Sequence, residues 1–525
     1  MYGQTLKDCF TESCLVHGEK IAISFLREGT IETEISYKNL DRDANRMANT
    51  FLDLGVEKGD RVILFLQKSV GFVVAHLALQ KIGVIAVPFN PEFKKSEITY
   101  LLENAEAKLV LSGTEQEATI KEIAPGLTNI VVQTERPYQD LDFFRSASDS
   151  VPPVDVGPED PGLIIYTSGT TGKPKGAVLN QGNLVHDAKN IVKIWEITEA
   201  DVFCHSLPLF HVHGLNYALH TTLMAGAHVI MLDKFSPEKV MEVLSRRAGE
   251  YVCNMFMAVP SMYGKIINYL GEKKLNFEHM RLWTSGSAPL SVKDFEKIKV
   301  MFGNEPVERE GMSETGMNFS NQIRGMRKPG SIGVPLPDLE VRIVDPDTFV
   351  DVTPGETGEF WLKGPSITEG YWRKPEVTAG SFEKGWFKTG DLGRVDEDGY
   401  YYLTDRLKHI IISGGENVSP KEVEVVINQL GDVVDSSVVG IPDEKWGEKV
   451  VAAVVTKPGS KVEAEDIQRF CREHIHKWKC PKEIVFLKEL PKNTMGKVLK
   501  EEVKKLFSTE EPEKLGPDDK CGWGL

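Results

Sequence analysis

The chain has 525 residues, 41% hydrophobic and 26% charged, with a formal net charge of −15. That length exceeds a single hydrophobic core and predicts two or three domains. The acidic balance argues against nonspecific binding to nucleic acid or to an anionic membrane, while leaving room for a local basic site that holds an anionic ligand. No apolar run approaches the ~18 residues of a membrane span. The opening MYGQTLKDCFTESC carries acids and no apolar core of its own, so a secretory signal is not expected. Seven cysteines are scattered without a C-x-x-C pair, which predicts neither a zinc site nor a disulfide framework and fits a reducing cytoplasm.

Taken in order, residues 37–54 place Leu40, Ala44, Met47, Ala48, Phe51 and Leu52 at helical spacing, with Gly55 as the stop. Strand–helix alternation follows: a strand from Arg61, a helix over 70–82, a strand from Val84, a helix over 95–104 and a strand from Lys108. Such alternation predicts a parallel sheet with helical covers and a scaffold role for everything before residue 160. The Ser/Pro/Asp-rich stretch 146–160 reads as a linker. Residues 251–263, apolar and aromatic, read mainly as a core strand, and 281–289 as a strand running into a loop. From 340 to 404 short alternating runs predict a small β-barrel-like subdomain. The remainder predicts a compact α/β unit: a strand at 410–412, a helix over 420–430, strands at 435–441 and 450–455, and a helix over 463–474. The domain boundaries expected are 1–406, 407–507 and a flexible tail at 508–525.

The stretch Tyr166 to Gly176, YTSGTTGKPKG, follows a short apolar run and is built from Gly, Thr, Ser and Lys. Glycines let the backbone approach a ligand, successive N–H groups form an anion-binding nest, and lysines add charge. The spacing is not that of a Walker A loop, so the phosphate-holding reading rests on composition. In PLFHVHG (208–214), His211 and His213 lack metal-pair spacing and have no neighbouring carboxylate. The small residues Gly286, Ser287 and Ala288 allow a flat ring to lie against bare backbone.

Seven strings stand in one order: YTSGTTGKPKGA (166–177), PLFHVHG (208–214), SGSAP (285–289), GMSET (311–315), WFKTGDLG (386–393), DRLKHIIISGGENVSPKEVE (405–424) and PKNTMGKV (491–498). Together they resemble the adenylate-forming superfamily, which includes acyl-CoA synthetases. The resemblance implies an α/β fold, with a large N-terminal domain of parallel sheets covered by helices, the β-barrel-like subdomain, and a small mobile C-terminal α/β domain hinged at Lys408. It implies an AMP-forming acyl-CoA synthetase that uses ATP, Mg2+ and coenzyme A, with a small carboxylic acid as partner, no nucleic acid and no membrane span; a homodimer stays open. Nucleotide contacts fall to Thr167, Ser168, Gly169, Thr170, Thr171, Gly172, Lys175, Gly286, Ser287, Ala288, Pro289, Glu310, Gly311, Met312, Ser313, Thr315, Asp391, Arg406 and Lys497. Lys497, Thr170 and Glu314 carry the catalytic assignments, with Glu314 also the magnesium ligand. Ser413, Gly414 and Gly415 match the coenzyme A segment.

Glu310 stands where the family has an aromatic, commonly Tyr, that stacks on adenine. Several strings resemble the malonyl-CoA synthetase branch most, so the acid expected is malonate-like, with medium-chain or aryl acids, or a non-CoA acceptor, as alternatives. His211, Met257, Arg281, Trp283 and Met317 are the acyl-pocket candidates. A dicarboxylate needs a cation at the far end of its pocket, and Arg281 is the one assigned to it.

Overall fold

Apolar spacing sets the first helix of the large unit. Tyr37–Asp53 buries Tyr37, Leu40, Ala44, Met47, Ala48 and Phe51 on one face, and Ser36 caps it by accepting the Asn39 N–H. The helix Val70–Lys81 is buried all round, as its unbroken apolar sequence requires. The molecule is described from a computed structural model covering residues 4–151, 153–167, 173–247, 251–271, 273, 275, 277–414, 416–493 and 496–507. The assignments on Ser168, Gly169, Thr170, Thr171, Gly172 and Gly415, and the 508–525 tail, lie outside these residues.

Among the described residues the chain divides into two units, residues 1–389 with 393–403, and residues 390–392 with 404–525. In the first unit, one sheet runs in the order Gly370–Tyr371, Lys175–Asn180, Pro161–Thr167, Ile85–Pro88, Arg61–Phe65, Leu109–Ser112, Thr128–Val131. Its right half is parallel, as the alternating pattern predicts, and its left edge is antiparallel. A second sheet sets Ile21–Arg27, His228–Leu232, Val202–His205, Met255–Ala258, Leu282–Ser285 and Val307–Met312 side by side in parallel. Gly316–Ser320 folds back antiparallel on Val307–Met312. The third sheet, with Glu340–Val344, Gly358–Lys363, Phe382–Glu383, Trp386–Val395 and Tyr401–Arg406, is the small barrel-like element of the 340–404 pattern.

The apolar run 251–263 is a strand only over Met255–Ala258; from Pro260 it is a helix, Pro260–Leu270. Pro260 occupies the first helical turn, where its missing N–H costs nothing.

The second unit packs Pro420–Ile427 and Ala464–His474 on a sheet of Glu416–Val418, Ile411–Ser413, Gly447–Thr456, Val433–Asp443 and Glu483–Leu487. Its core holds Ile411, Val423, Ile427, Val438, Val450, Val454 and Ile467, all buried. No helix among the described residues is long and apolar enough to cross a membrane.

Candidate active site

The two described ends of the YTSGTTGKPKG motif pair as antiparallel strands, with Tyr166 opposite Gly176 and Thr167 opposite Lys175. Gly176 is obligatory, since a Cβ there would lie 2.7 Å from Ile164 Cγ2. Tyr371, on the strand paired to Ala177, sits beneath Lys175, whose Nζ is 5.3 Å from the ring centroid. The Tyr371 hydroxyl donates to Glu314 Oε1 at 3.0 Å, and Thr167 Oγ1 donates to the same oxygen at 3.4 Å. Burial, and then the Glu314 charge, push the Tyr371 phenol up, so it stays a donor. Glu314 is buried and makes no ion pair with a described residue. The hairpin stem and the GMSET turn, 147 positions apart in sequence, thus meet on one carboxylate.

The backbone of that turn is tightly specified. A Cβ on Gly311 would lie 2.6 Å from the Gly316 carbonyl and 2.8 Å from the Tyr217 hydroxyl, which donates to the Met312 carbonyl at 3.2 Å. Asn318 Nδ2 donates to Thr315 Oγ1 at 2.8 Å and to Glu310 at 3.0 Å. Glu310 thus makes a polar contact and has no aromatic face for stacking.

Beside the turn stands a second cluster that the sequence did not announce. PLFHVHG leads into a π-helix, His213–His220, a form that recurs at functional sites. Gly214 permits it, because a Cβ there would lie 2.0 Å from the Pro208 carbonyl. His213 Nε2 faces an N–H of the Arg309 guanidinium, which only donates, so this nitrogen is the acceptor and Nδ1–H donates to Ser287 Oγ at 3.2 Å. Burial first, and Arg309 next, hold the His213 imidazole well below its ordinary range, so it is neutral. Arg309 itself is 3% exposed, and its Nε and Nη1 have no partner among the described residues. Its Cζ lies 5.3 Å from the Tyr217 ring centroid, and Gly286 leaves it room, since a Cβ there would fall 2.6 Å from Cζ.

The neighbouring Glu308 is buried with one backbone partner, Gly330 N–H at 2.8 Å, and burial pushes its carboxyl up to about 8. A raised carboxyl pKa means the folded state holds its proton from about pH 4.5 to about 8 after the unfolded chain has lost it, so stability falls across that window. Glu308→Gln, which keeps the acceptor for Gly330, is expected to match the native Tm at pH 4.5 and to exceed it at pH 8.5 by several degrees. Equal melting at both pH values would show that Glu308 ionises normally.

Two acyl-pocket assignments are corrected. Arg281 is clamped on Asp201 through Nε at 2.7 Å and Nη2 at 2.6 Å, and donates to the carbonyls of Trp195 and Glu196. Its guanidinium holds chain segments together and is not the acid's cation. Trp283 stacks on Phe302 at 4.4 Å and meets Phe277 and Phe256 edge-on, which makes it core between sheet and helices. Of the other three candidates, Met257 and Met317 are buried, and His211 packs on Phe210 at 4.6 Å with its imidazole pushed down to about 4 by burial. Ser287 adopts φ +67°, bending the loop that Ala288 and Pro289 continue.

In the second unit Asp391 and Arg406 pair through Nε–Oδ1 at 2.6 Å and Nη2–Oδ2 at 3.2 Å. Lys497 is exposed on a tight turn in which Asn493 Oδ1 accepts the Lys497 N–H at 2.9 Å and Gly496 takes φ +74°. Ser413 is buried; Gly414 takes φ +64° and donates to the Trp446 carbonyl at 2.8 Å. Lys408 lies on a short 3-10 turn, Leu407–His409.

No group of three metal-binding side chains exists among the described residues. Magnesium held largely by nucleotide phosphates needs only one or two carboxylates, and Glu314, buried without an ion pair to any described residue, fits that demand.

Comparison with known proteins gives the same picture. Residues 10–372 match the AMP-binding enzyme family and residues 422–497 its C-terminal domain. A long-chain-fatty-acid–CoA ligase of Bacillus subtilis is 31% identical over 95% of this chain and 94% of its own. A mitochondrial malonate–CoA ligase of Bos taurus is 34% identical over 90% of this chain and 87% of its own. The crystal structure of ATP-bound MatB from Rhodopseudomonas palustris, 35% identical, superposes with a TM-score of 0.89 over 96% of this chain and 99% of that one.

Proposed function

Because the chain belongs to the AMP-binding enzyme family and is an AMP-forming acyl-CoA ligase using ATP, Mg2+ and coenzyme A, we infer that its acid is a small dicarboxylate of the malonate class. The observation that carries this reading is Arg309. A guanidinium buried without a carboxylate partner is costly, and a ligand carboxylate removes that cost through a bidentate pair. Neutral His213 accepts from one nitrogen, and the Glu310 and Asp187 carboxylates act on the guanidinium through space without bonding Nε or Nη1, which are left for the ligand. The malonate–CoA ligase relative supports the same choice.

In this reading one carboxylate of the acid attacks the α-phosphate of ATP, giving acyl-AMP and pyrophosphate, and the coenzyme A thiol then attacks the acyl carbon and releases AMP. No protein nucleophile is required, so the chain supplies position and charge. Glu314 would hold the magnesium, which neutralises phosphate charge; Tyr371 and Thr167 orient that carboxylate. Asp391, oriented by its pair with Arg406, is suited to accept from the ribose hydroxyls. Lys497 is assigned to the oxygens that gain charge in the first step, and Ser413–Gly414 to coenzyme A. These two lie on one unit and serve successive steps, which assigns Lys408 the pivot between them. The six described cysteines, all free, fit a reducing cytoplasm.

A thermal-shift titration tests the acid. Malonate should raise the native Tm in a saturable way, following ligand linkage, in the presence of Mg2+ and a non-hydrolysable ATP analogue. Butyrate at equal concentration should not. A larger shift with butyrate or hexanoate would overturn the dicarboxylate reading.

A further inference from the structure

The turn that carries Glu314 is gripped by a carboxylate to which no task has yet fallen. Asp187, on the helix Gln181–Ile194, is 2% exposed, and its Oδ1 accepts the Met317 N–H at 2.9 Å. Gly316, at φ +73°, makes the approach possible, because a Cβ there would stand 2.8 Å from both Cγ and Oδ1 of Asp187. Its Oδ2 accepts from Asn216 Nδ2 at 2.7 Å.

Burial pushes the Asp187 carboxyl up to about 7 against the bonds from Met317 and Asn216; above that pH it is ionised, and the second bond then fixes a whole chain of protons. Asn216 gives its Nδ2–H to Asp187, so its Oδ1, 2.8 Å from His220 Nδ1, accepts. His220, neutral through burial, therefore carries its proton on Nδ1 and presents a bare Nε2. His76 Nε2, 2.8 Å away, must be the donor, and His76 Nδ1 is left without a partner among the described residues. The two imidazoles lie nearly parallel, 5.0 Å apart, in the core.

We propose that Asp187 is a positioning residue for adenylation: it sets the backbone of the 311–317 turn, and the polar chain His76–His220–Asn216 sets Asp187. The proposal rests on the reading that Glu314 and Thr315 serve the nucleotide. Asp187 touches neither; it acts through the Gly316–Met317 backbone.

The polarity of the chain gives a test independent of turnover. In the native enzyme, long-range 1H–15N spectra should show His220 protonated at Nδ1 and His76 at Nε2. Asp187→Asn keeps an acceptor for Met317 but turns an NH2 on Asn216. Asn216 must then flip, and both histidines must exchange tautomers. The same variant should lose about 10²-fold in adenylation kcat/KM, the scale of a small misplacement of reacting groups, while thioester formation from supplied acyl-AMP changes far less. Gly316→Ala, which pushes the turn off Asp187 from the other side, should lose adenylation similarly with the native tautomers retained.

Native spectra with the opposite tautomers would overturn the proposal, as would a folded Asp187→Asn variant with native adenylation. A folded Glu314→Gln variant that adenylates normally would instead refute the reading beneath it.

Discussion

Lys497→Ala is expected to lower adenylation by about 10²–10³-fold or more, the loss that follows removal of one charge aimed at a developing oxyanion. Conversion of supplied acyl-AMP and coenzyme A to the thioester should stay within about threefold of native, because that step does not build charge on the α-phosphate. The turn supports so specific an outcome. Asn493 and Gly496 hold the backbone around Lys497 through main-chain groups, which Ala keeps while it removes the charge. The measurement is pyrophosphate release for the first half-reaction and AMP release from synthetic acyl-AMP for the second. Equal loss in both would remove Lys497 from its assigned role.

The second large effect is one of specificity. Arg309→Met replaces a buried cation with an apolar chain of similar length. For a dicarboxylate the variant leaves the distal carboxylate buried and unpaired, a cost of about 3–5 kcal/mol, or about 10²–10⁴-fold in kcat/KM. A monocarboxylate of matching length has no such group and should lose little or gain. Arg309→Lys keeps the charge but not the fork, and should fall between the two. Since Arg309 also donates to His213, both variants need a melting curve alongside; a drop in malonate turnover with native Tm isolates the ligand effect. A uniform loss across all acids would make Arg309 a structural residue.

The comparison of Arg309 with Arg281 shows what sequence order conveys and what it hides. Both arginines precede a motif loop, and both satisfy the chemistry of a carboxylate anchor. What separates them is a partner: Asp201 stands 80 positions from Arg281 and takes its guanidinium, and nothing local marks that pairing. The same distance hides Asp187, whose bond to Met317 spans 130 positions. The glycine-bearing motifs were legible as short strings of unusual composition, although the groups that exclude a Cβ at Gly286 and Gly311, Arg309 and Tyr217, are distant in sequence. The alternating strands and helices of residues 61–112 were legible because each face is written in its own spacing. The apolar run at 251–263 was not, because a short buried strand and a buried helix share that composition; Pro260 was the one sign of the change. Trp283 shows the remaining limit, that an aromatic beside a binding loop faces either the ligand or the helical layer according to a register only the sheet reveals.

The measurement that bears most directly on the account is the kcat/KM of the native enzyme for malonate against butyrate, with ATP, Mg2+ and coenzyme A saturating. Butyrate matches malonate in heavy-atom length counted to a distal carboxylate oxygen, and carries an ethyl group where malonate carries its second carboxylate. A site built around the Arg309 guanidinium should favour malonate by about 10²-fold or more, the discrimination reached when a buried polar group loses its ligand. Butyrate or a longer fatty acid used as well as malonate, or better, would contradict the account.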